Sequence, residues 1–458
     1  MIDVVQAFDR APIAQLDSDD AAALERKIGI AARLFSDRDA RLKPHQKMDI
    51  LRRLGVLMEG RREHLGRQIA REGGKPLTDA MVEVDRAVDG VRNAVDVLRV
   101  AGGREIPMGL TPASVDRRAF TIVEPIGVVA AISAFNHPLN LIVHQVVPAI
   151  AVGCPVIVKP ATATPLSCID FVALVQEAGL PADWCQTFLP ETNELAEALA
   201  TDPRIAFLSF IGSSRVGWYL RSKLPPGTRC ALEHGGAAPA IIDRGADLDR
   251  LIEVLTKGGY YHAGQVCVST QRIYVHADIE SEFLDRFAAR VAALRVGDPI
   301  LADTEVGPLI TPREADRVSA WIEEAVSGGA RLIGGGRASS TTLLPSIIVN
   351  PPRDAKVSTL EVFGPTTCVY PFTHIQEAIT AANALPVAFQ ASIFTEDLRT
   401  ALDAAERLAA SAVMVNDHTA FRTDWMPFAG RRQSGYGIGG IPWTMQEMTE
   451  EKMIVFRT

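Results

Sequence analysis

The chain has 458 residues, 47% of them hydrophobic and 22% charged, and a formal net charge of −8. That length predicts two or three domains rather than one simple core. The acidic balance excludes the basic face that a nucleic-acid or acidic-membrane partner requires.

Residues 1–20, "MIDVVQAFDRAPIAQLDSDD", have no basic stretch followed by an apolar run, so no signal peptide is expected. Residues 18–100 are rich in Ala, Leu, Arg and Glu at three- and four-residue steps, and predict several amphipathic helices. "SVDRRAFTIVEPIGVVAAIS" alternates polar and apolar residues and reads as extended. The most membrane-like stretch, Leu141–Pro160, carries His144, Gln145, Pro148 and Pro155, and reads as a buried helix followed by a buried strand.

From Gly127 onward, strands and helices alternate strictly. "GVVAAISA", "PVIVKP", "WCQTFLP", "IAFLSFIG" and "CALEHGG" read as strands, with helical segments between them. That pattern predicts an α/β fold with a parallel, doubly wound sheet, whose ligands sit at the carboxyl ends of the strands. A second alternating run extends from Ala238 to about Asn416, and the tail "MTEEKMIVFRT" ends in an apolar stretch.

The six cysteines, Cys154, Cys168, Cys185, Cys230, Cys267 and Cys368, form no CxxC pair. They suit free thiols in a reducing cytoplasm. The nine histidines show no HxxxH or HExxH spacing, so no metal site is expected.

Four stretches carry candidate chemistry. In "SAFNHPLN", Asn136 lies between a strand and a helix, where its amide serves either as an oxyanion donor or as a helix cap. In "FIGSSRVG", Gly212 and Ser213 stand at a helix start that holds a phosphate or is a plain N-cap; the spacing does not match GxGxxG. In "LEHGG", Glu233 ends an apolar strand, a setting for a general base or for a turn glutamate. In "GGYYHAGQVCVST", Cys267 is either a buried structural thiol or a nucleophile; small polar residues after it suggest a loop at a helix start, which lowers a thiol pKa.

Taken together and in order, these stretches resemble the NAD(P)-dependent aldehyde dehydrogenase superfamily over nearly the whole chain. "VIVKPATATP" is similar to its cofactor-ribose segment, and "EVFGP" to its nicotinamide-ribose motif. "MPFAGRRQSGYG" is similar to its C-terminal signature, with Ala429 where a glycine is usual. The resemblance implies a cofactor domain (1–102 and 124–235), a catalytic domain (236–437) and an oligomerisation arm (103–123 and 438–458). It also implies that the tail pairs with a partner subunit's sheet in a homodimer or homotetramer.

By the same resemblance, Cys267 is the nucleophile, Asn136 the oxyanion donor and Glu233 the base that activates water. NAD or NADP would be held by Lys159 and Thr162 at the adenosine ribose, Gly212 and Ser213 at the pyrophosphate, Glu361 at the nicotinamide ribose and Phe363 near the ring. Many NAD-preferring members carry a glutamate where this chain has Thr162, so the departure favours acceptance of NADP. A CoA-acylating relative and a non-catalytic protein on the same fold are the alternatives; retention of Glu233 speaks against the first, and the full set of site residues against the second.

"AFNHPLN" and "NDHTAFRTDWMPF" look similar to the branch of lactaldehyde and phosphonoacetaldehyde dehydrogenases, which implies a small polar or anionic aldehyde. Three residues are candidates to meet an anion: Arg86, His137 and Arg422. Their plainer readings are a helix-surface arginine, a helix-start histidine and a loop arginine in a salt bridge.

Overall fold

In the computed structural model, which describes residues 1–458, the alternating segments build two separate sheets. Across the first sheet the parallel strands run Arg229–Glu233, Ile205–Ile211, Val128–Ile132, Val156–Lys159, Cys185–Thr187. The chain enters at Val128–Ile132, builds one way to Cys185–Thr187, then returns to Ile205–Ile211 on the other side. The order therefore reverses between Val128–Ile132 and Ile205–Ile211. Two connections diverge there and leave a crevice beyond the strand ends. Every residue of Val128–Ile132 is buried, as a parallel strand covered on both faces requires.

The helix Asn140–Val152 is buried all round. That explains its membrane-like sequence. It stops at Gly153, whose φ of 99° is the left-handed conformation that closes a helix. No helix of the protein is long and apolar enough to cross a membrane.

The second sheet has seven strands in the order Arg331–Gly334, Ser346–Val349, Thr366–Phe372, Thr270–His276, Ala238–Ile242, Gln390–Phe394, Ala412–Val415. All pairs are parallel except the first. Its apolar core is separate from those of the first sheet. A third sheet joins Glu105–Ile106, Arg117–Pro125 and Thr449–Arg457, all antiparallel. The tail strand thus pairs along its inner edge with its own chain, and only its outer edge is open to a partner. Met453, Val455 and Phe456 are exposed on it.

The helix Ile441–Glu447 departs from the boundary expected at 438. Ile441, Met445 and Met448 point one way at helical spacing and bury in the same core as Val143 and Val147. Residues 441–448 therefore pack into the core beside the first sheet. Residues 2–16, for which no element was expected, form a hairpin of Ile2–Val5 and Pro12–Leu16.

The expected amphipathic helices are Ala21–Ser36, Pro44–Gly60, Arg62–Gly73 and Leu77–Val100. From this layer two buried carboxylates reach into the cofactor domain. Glu72 accepts the backbone N–H groups of Leu166 and Ser167, each at 2.8 Å. Glu83 Oε1 accepts those of Leu139 and Asn140, each at 3.0 Å. The helices that begin there have no side-chain cap of their own. The borrowed carboxylates satisfy orphan donors and complement the helix dipole. The other oxygen of Glu83 pairs with the Lys75 ammonium, and both side chains are fully buried. Burial alone would raise the Glu83 carboxyl, but Lys75 and His137 hold it well below its ordinary value.

Lys75→Met leaves the Glu83 charge buried and unpaired. It should lower folding stability by about 3–5 kcal/mol, and adding Glu83→Gln should recover much of that loss. Denaturant unfolding of the single and double variants checks both signs.

Candidate active site

Cys267 lies between the helix Leu248–Tyr260 and the strand Thr270–His276. The chain turns there through three consecutive left-handed residues, His262 (φ 50°), Ala263 (φ 54°) and Gly264 (φ 70°). A Cβ on Gly264 would meet the Gly364 carbonyl oxygen at 2.1 Å, so only glycine fits. The loop that carries Cys267 thus leads into a strand. The helix start expected at Cys267, with its pKa-lowering dipole, is absent.

The thiol environment confirms the difference. Val266 and Val268 are buried against Phe389 and Phe428, with Cys267 packed beside them. Burial, reinforced by the nearby Glu233 charge, pushes the Cys267 thiol well above its ordinary value, and Arg422 opposes this only in part. Glu233 ends the strand Arg229–Glu233, and its Oε1 is 3.9 Å from the Cys267 sulfur. Burial raises the Glu233 carboxyl too, against the pull of Arg422. A carboxyl of raised pKa beside a protonated thiol is a proton-transfer pair.

Asn136 follows the strand Val128–Ile132. Its amide donates to the Gln265 carbonyl at 2.9 Å, which ties the turn after that strand to the loop of Cys267. Gln265 is itself anchored, donating to the Pro308 carbonyl at 3.1 Å and accepting from the Ile310 N–H at 3.0 Å. The second N–H of the Asn136 amide remains for a ligand.

The remaining candidates line the same cavity of about 1170 Å³ as Cys267, Glu233 and Asn136. Glu361 is held over Gly235, where a Cβ would fall 1.6 Å from its Oε1. That oxygen is buried without a partner, and burial pushes the carboxyl up to about 8. Phe363 (φ 49°) packs edge-on against Phe135 at 5.8 Å. Gly212 and Ser213 open the helix Ser214–Arg221, and Ser213 makes no capping bond. Lys159 ends its strand with its ammonium on the Pro160 carbonyl at 3.1 Å, and Thr162 is exposed just beyond. The lining of this one cavity thus combines a buried carboxyl without a partner, a helix start without a side-chain cap and a lysine.

The three anion candidates separate. Arg86 lines the cavity, but its guanidinium fork is filled by Asp424, with Nε to Oδ2 at 3.1 Å and Nη2 to Oδ1 at 2.8 Å. His137 accepts from Lys75 at 2.7 Å, and burial together with that ammonium pushes it down to about 4, so it is neutral. Neither offers a free cation, which corrects the expectation for both. Arg422 has no carboxylate partner. It lies 3.6 Å from the Phe428 ring centroid, and its buried Nε has no acceptor. Sequence reasoning missed Asp424 and Tyr261, and treated His144 only as a polar residue in an apolar helix. Asp424, two residues after Arg422 in the same loop, was the one available signal.

The aldehyde dehydrogenase family model matches residues 1–454. The chain is 34% identical over 458 residues to 3-sulfolactaldehyde dehydrogenase of Priestia megaterium, covering 99% of this chain and 94% of that protein. It is similar to the crystal structure of aldehyde dehydrogenase 21 from Physcomitrella patens in complex with the reaction product succinate. The TM-score is 0.96 and the identity 32%, over 100% of this chain and 95% of that one. It is also similar to glyceraldehyde-3-phosphate dehydrogenase from Methanocaldococcus jannaschii complexed with NADP, with a TM-score of 0.95 and 30% identity, over 100% of this chain and 99% of that one.

Because only the thiolate is nucleophilic, a raised thiol pKa leaves little reactive form at neutral pH. Alkylation of Cys267 by iodoacetamide in the unliganded protein should therefore rise about tenfold per pH unit between about pH 7 and 9, without levelling off. Peptide mass spectrometry of the Cys267 fragment reads the rate; a plateau near pH 7 would mean that the thiol is activated at rest.

Proposed function

The chain belongs to the aldehyde dehydrogenase family, and we propose that it oxidises a small aldehyde bearing an anionic group to the free carboxylic acid, with Cys267 as nucleophile. The cofactor is NAD(P). One observation carries the chemistry: the Cys267 sulfur faces the Glu233 carboxylate at 3.9 Å inside the cavity. One carries the substrate class: Arg422 lines the same cavity with no salt bridge of its own and with its Nε unpartnered.

Glu233 takes the thiol proton and passes it to solvent. The thiolate attacks the aldehyde carbon. The Asn136 amide and the Cys267 backbone N–H hold the oxygen that becomes negative. The bound nicotinamide supplies the two-electron oxidation. Lys159 and Thr162 would hold its adenosine ribose, Gly212 and Ser213 its pyrophosphate and Glu361 its second ribose, with Phe363 near the ring. The thioester left on Cys267 is then opened by water. Glu233 takes the water proton and returns it to the departing thiolate. Thr162 presents no carboxylate to a ribose 2′-phosphate, so NADP is accepted alongside NAD.

Arg422 holds the anionic end of the substrate. The names of two similar proteins point the same way, one acting on 3-sulfolactaldehyde and one bound to succinate. An Arg contact made equally in ground and transition states lowers KM more than it raises kcat.

Glu233→Gln should allow acylation but not efficient hydrolysis. Rapid mixing should show a burst of reduced cofactor followed by a slow steady rate; no burst and an unchanged steady rate would remove Glu233 from the mechanism. The substrate reading is tested with sulfoacetaldehyde, succinic semialdehyde, lactaldehyde and benzaldehyde, each with NAD and NADP. The anionic pair should show the higher kcat/KM, and Arg422→Ala should raise their KM about ten- to hundredfold more than that of lactaldehyde. Equal losses would make Arg422 a structural residue, and a strong preference for NAD would sink the role given to Thr162.

A further inference from the structure

We propose that His144 and Asp424 form a bracket that positions Arg422 as the specificity-determining cation of the cavity. The inference rests on the anionic-substrate reading and goes beyond it, because it names residues that need not touch the substrate.

His144 sits on the buried helix Asn140–Val152 and is 5% exposed. Its Nε2 is 2.7 Å from Asp424 Oδ1 and its Nδ1 is 3.4 Å from Arg422 Nη2. A carboxylate only accepts, and a guanidinium only donates. The hydrogen therefore sits on Nε2, directed at Asp424, and Nδ1 offers its lone pair to Arg422. Asp424 thus fixes the tautomer that lets His144 hold the arginine.

The charges explain why a histidine does this work. Asp424 also accepts from Asn140 Nδ2 at 3.0 Å, and its charge is balanced by the fork of Arg86. Burial, and then the neighbouring Arg422 charge, depress His144 to about 4, so it is a neutral acceptor. A carboxylate in its place would orient Arg422 but also fill the site meant for the substrate anion. The neutral imidazole orients the guanidinium without cancelling its charge. The Phe428 ring, its centroid 3.6 Å from the guanidinium carbon, stacks against the guanidinium as well. Nε is left buried without an acceptor, and Arg422 lines the cavity, where its guanidinium suits a carboxylate or sulfonate.

The test uses the full-length enzyme with sulfoacetaldehyde and lactaldehyde as the charged and neutral substrates. His144→Phe keeps a ring of similar size but removes the acceptor. It should raise KM for sulfoacetaldehyde about tenfold more than KM for lactaldehyde, with the kcat ratio moving far less. His144→Gln retains one donor and one acceptor and should bring the KM ratio back to within about threefold of the parent. If the Phe variant does not fold, His144→Met replaces it as the acceptor-free form. Arg422→Gln runs in parallel. If it discriminates between the substrates and His144→Phe does not, the bracket is wrong and the anion reading stands. If Arg422→Gln fails to discriminate, the anion reading falls and the bracket falls with it.

Discussion

A single buried ion pair, Lys75 with Glu83, is the contact on which the geometry of the site depends. Glu83 spends one oxygen on two backbone donors at the start of the helix Asn140–Val152 and the other on an ammonium. That helix has no cap of its own. Without the carboxylate, two N–H groups would be buried unsatisfied beside the oxyanion turn. Without the lysine, the carboxylate could not remain charged there. Lys75 also holds His137, the neighbour of Asn136. Asn136 in turn grips Gln265, and Gln265 grips Pro308 and Ile310 of the catalytic domain. One ion pair in the helical layer is therefore linked, through His137, Asn136 and Gln265, to the loop that carries Cys267.

Electrostatic balance governs the rest of the cavity. Lys75 cancels Glu83, and Arg86 cancels Asp424. Glu233 and Glu361 are both pushed up by burial, and the thiol between them is pushed up as well. The site holds its protons tightly when empty. Arg422 is the charge left over, and it lies where it moderates both Glu233 and Cys267.

Much of this was legible in the sequence where the physics is local. Period and alternation marked the strands that end at Glu233, Lys159 and Ile211, because parallel strands bury both faces. The order of short motifs distinguished Cys267 from five other cysteines, which are all buried. What local patterns do not carry is pairing across the chain. Arg86 looked free because Asp424, which fills its fork, lies 338 residues away. The left-handed run at His262–Gly264 was hidden because two of its three residues are not glycine. The helix Ile441–Glu447 was assigned to the arm because its neighbours in sequence are arm residues, whereas its apolar face answers a core built hundreds of residues earlier.

The placement of that helix also bears on how the molecule is made. The core around Val143 and Val147 is completed by Ile441, Met445 and Met448, which a ribosome supplies only after the whole catalytic domain. The catalytic sheet draws its strands from one uninterrupted stretch, Ala238 to Val415, and can close as it emerges. The cofactor domain, although translated earlier, must wait with an apolar gap on its surface. During synthesis the part of the chain that appears first is thus the part that finishes second, and its unfilled gap is the surface a chaperone would shield.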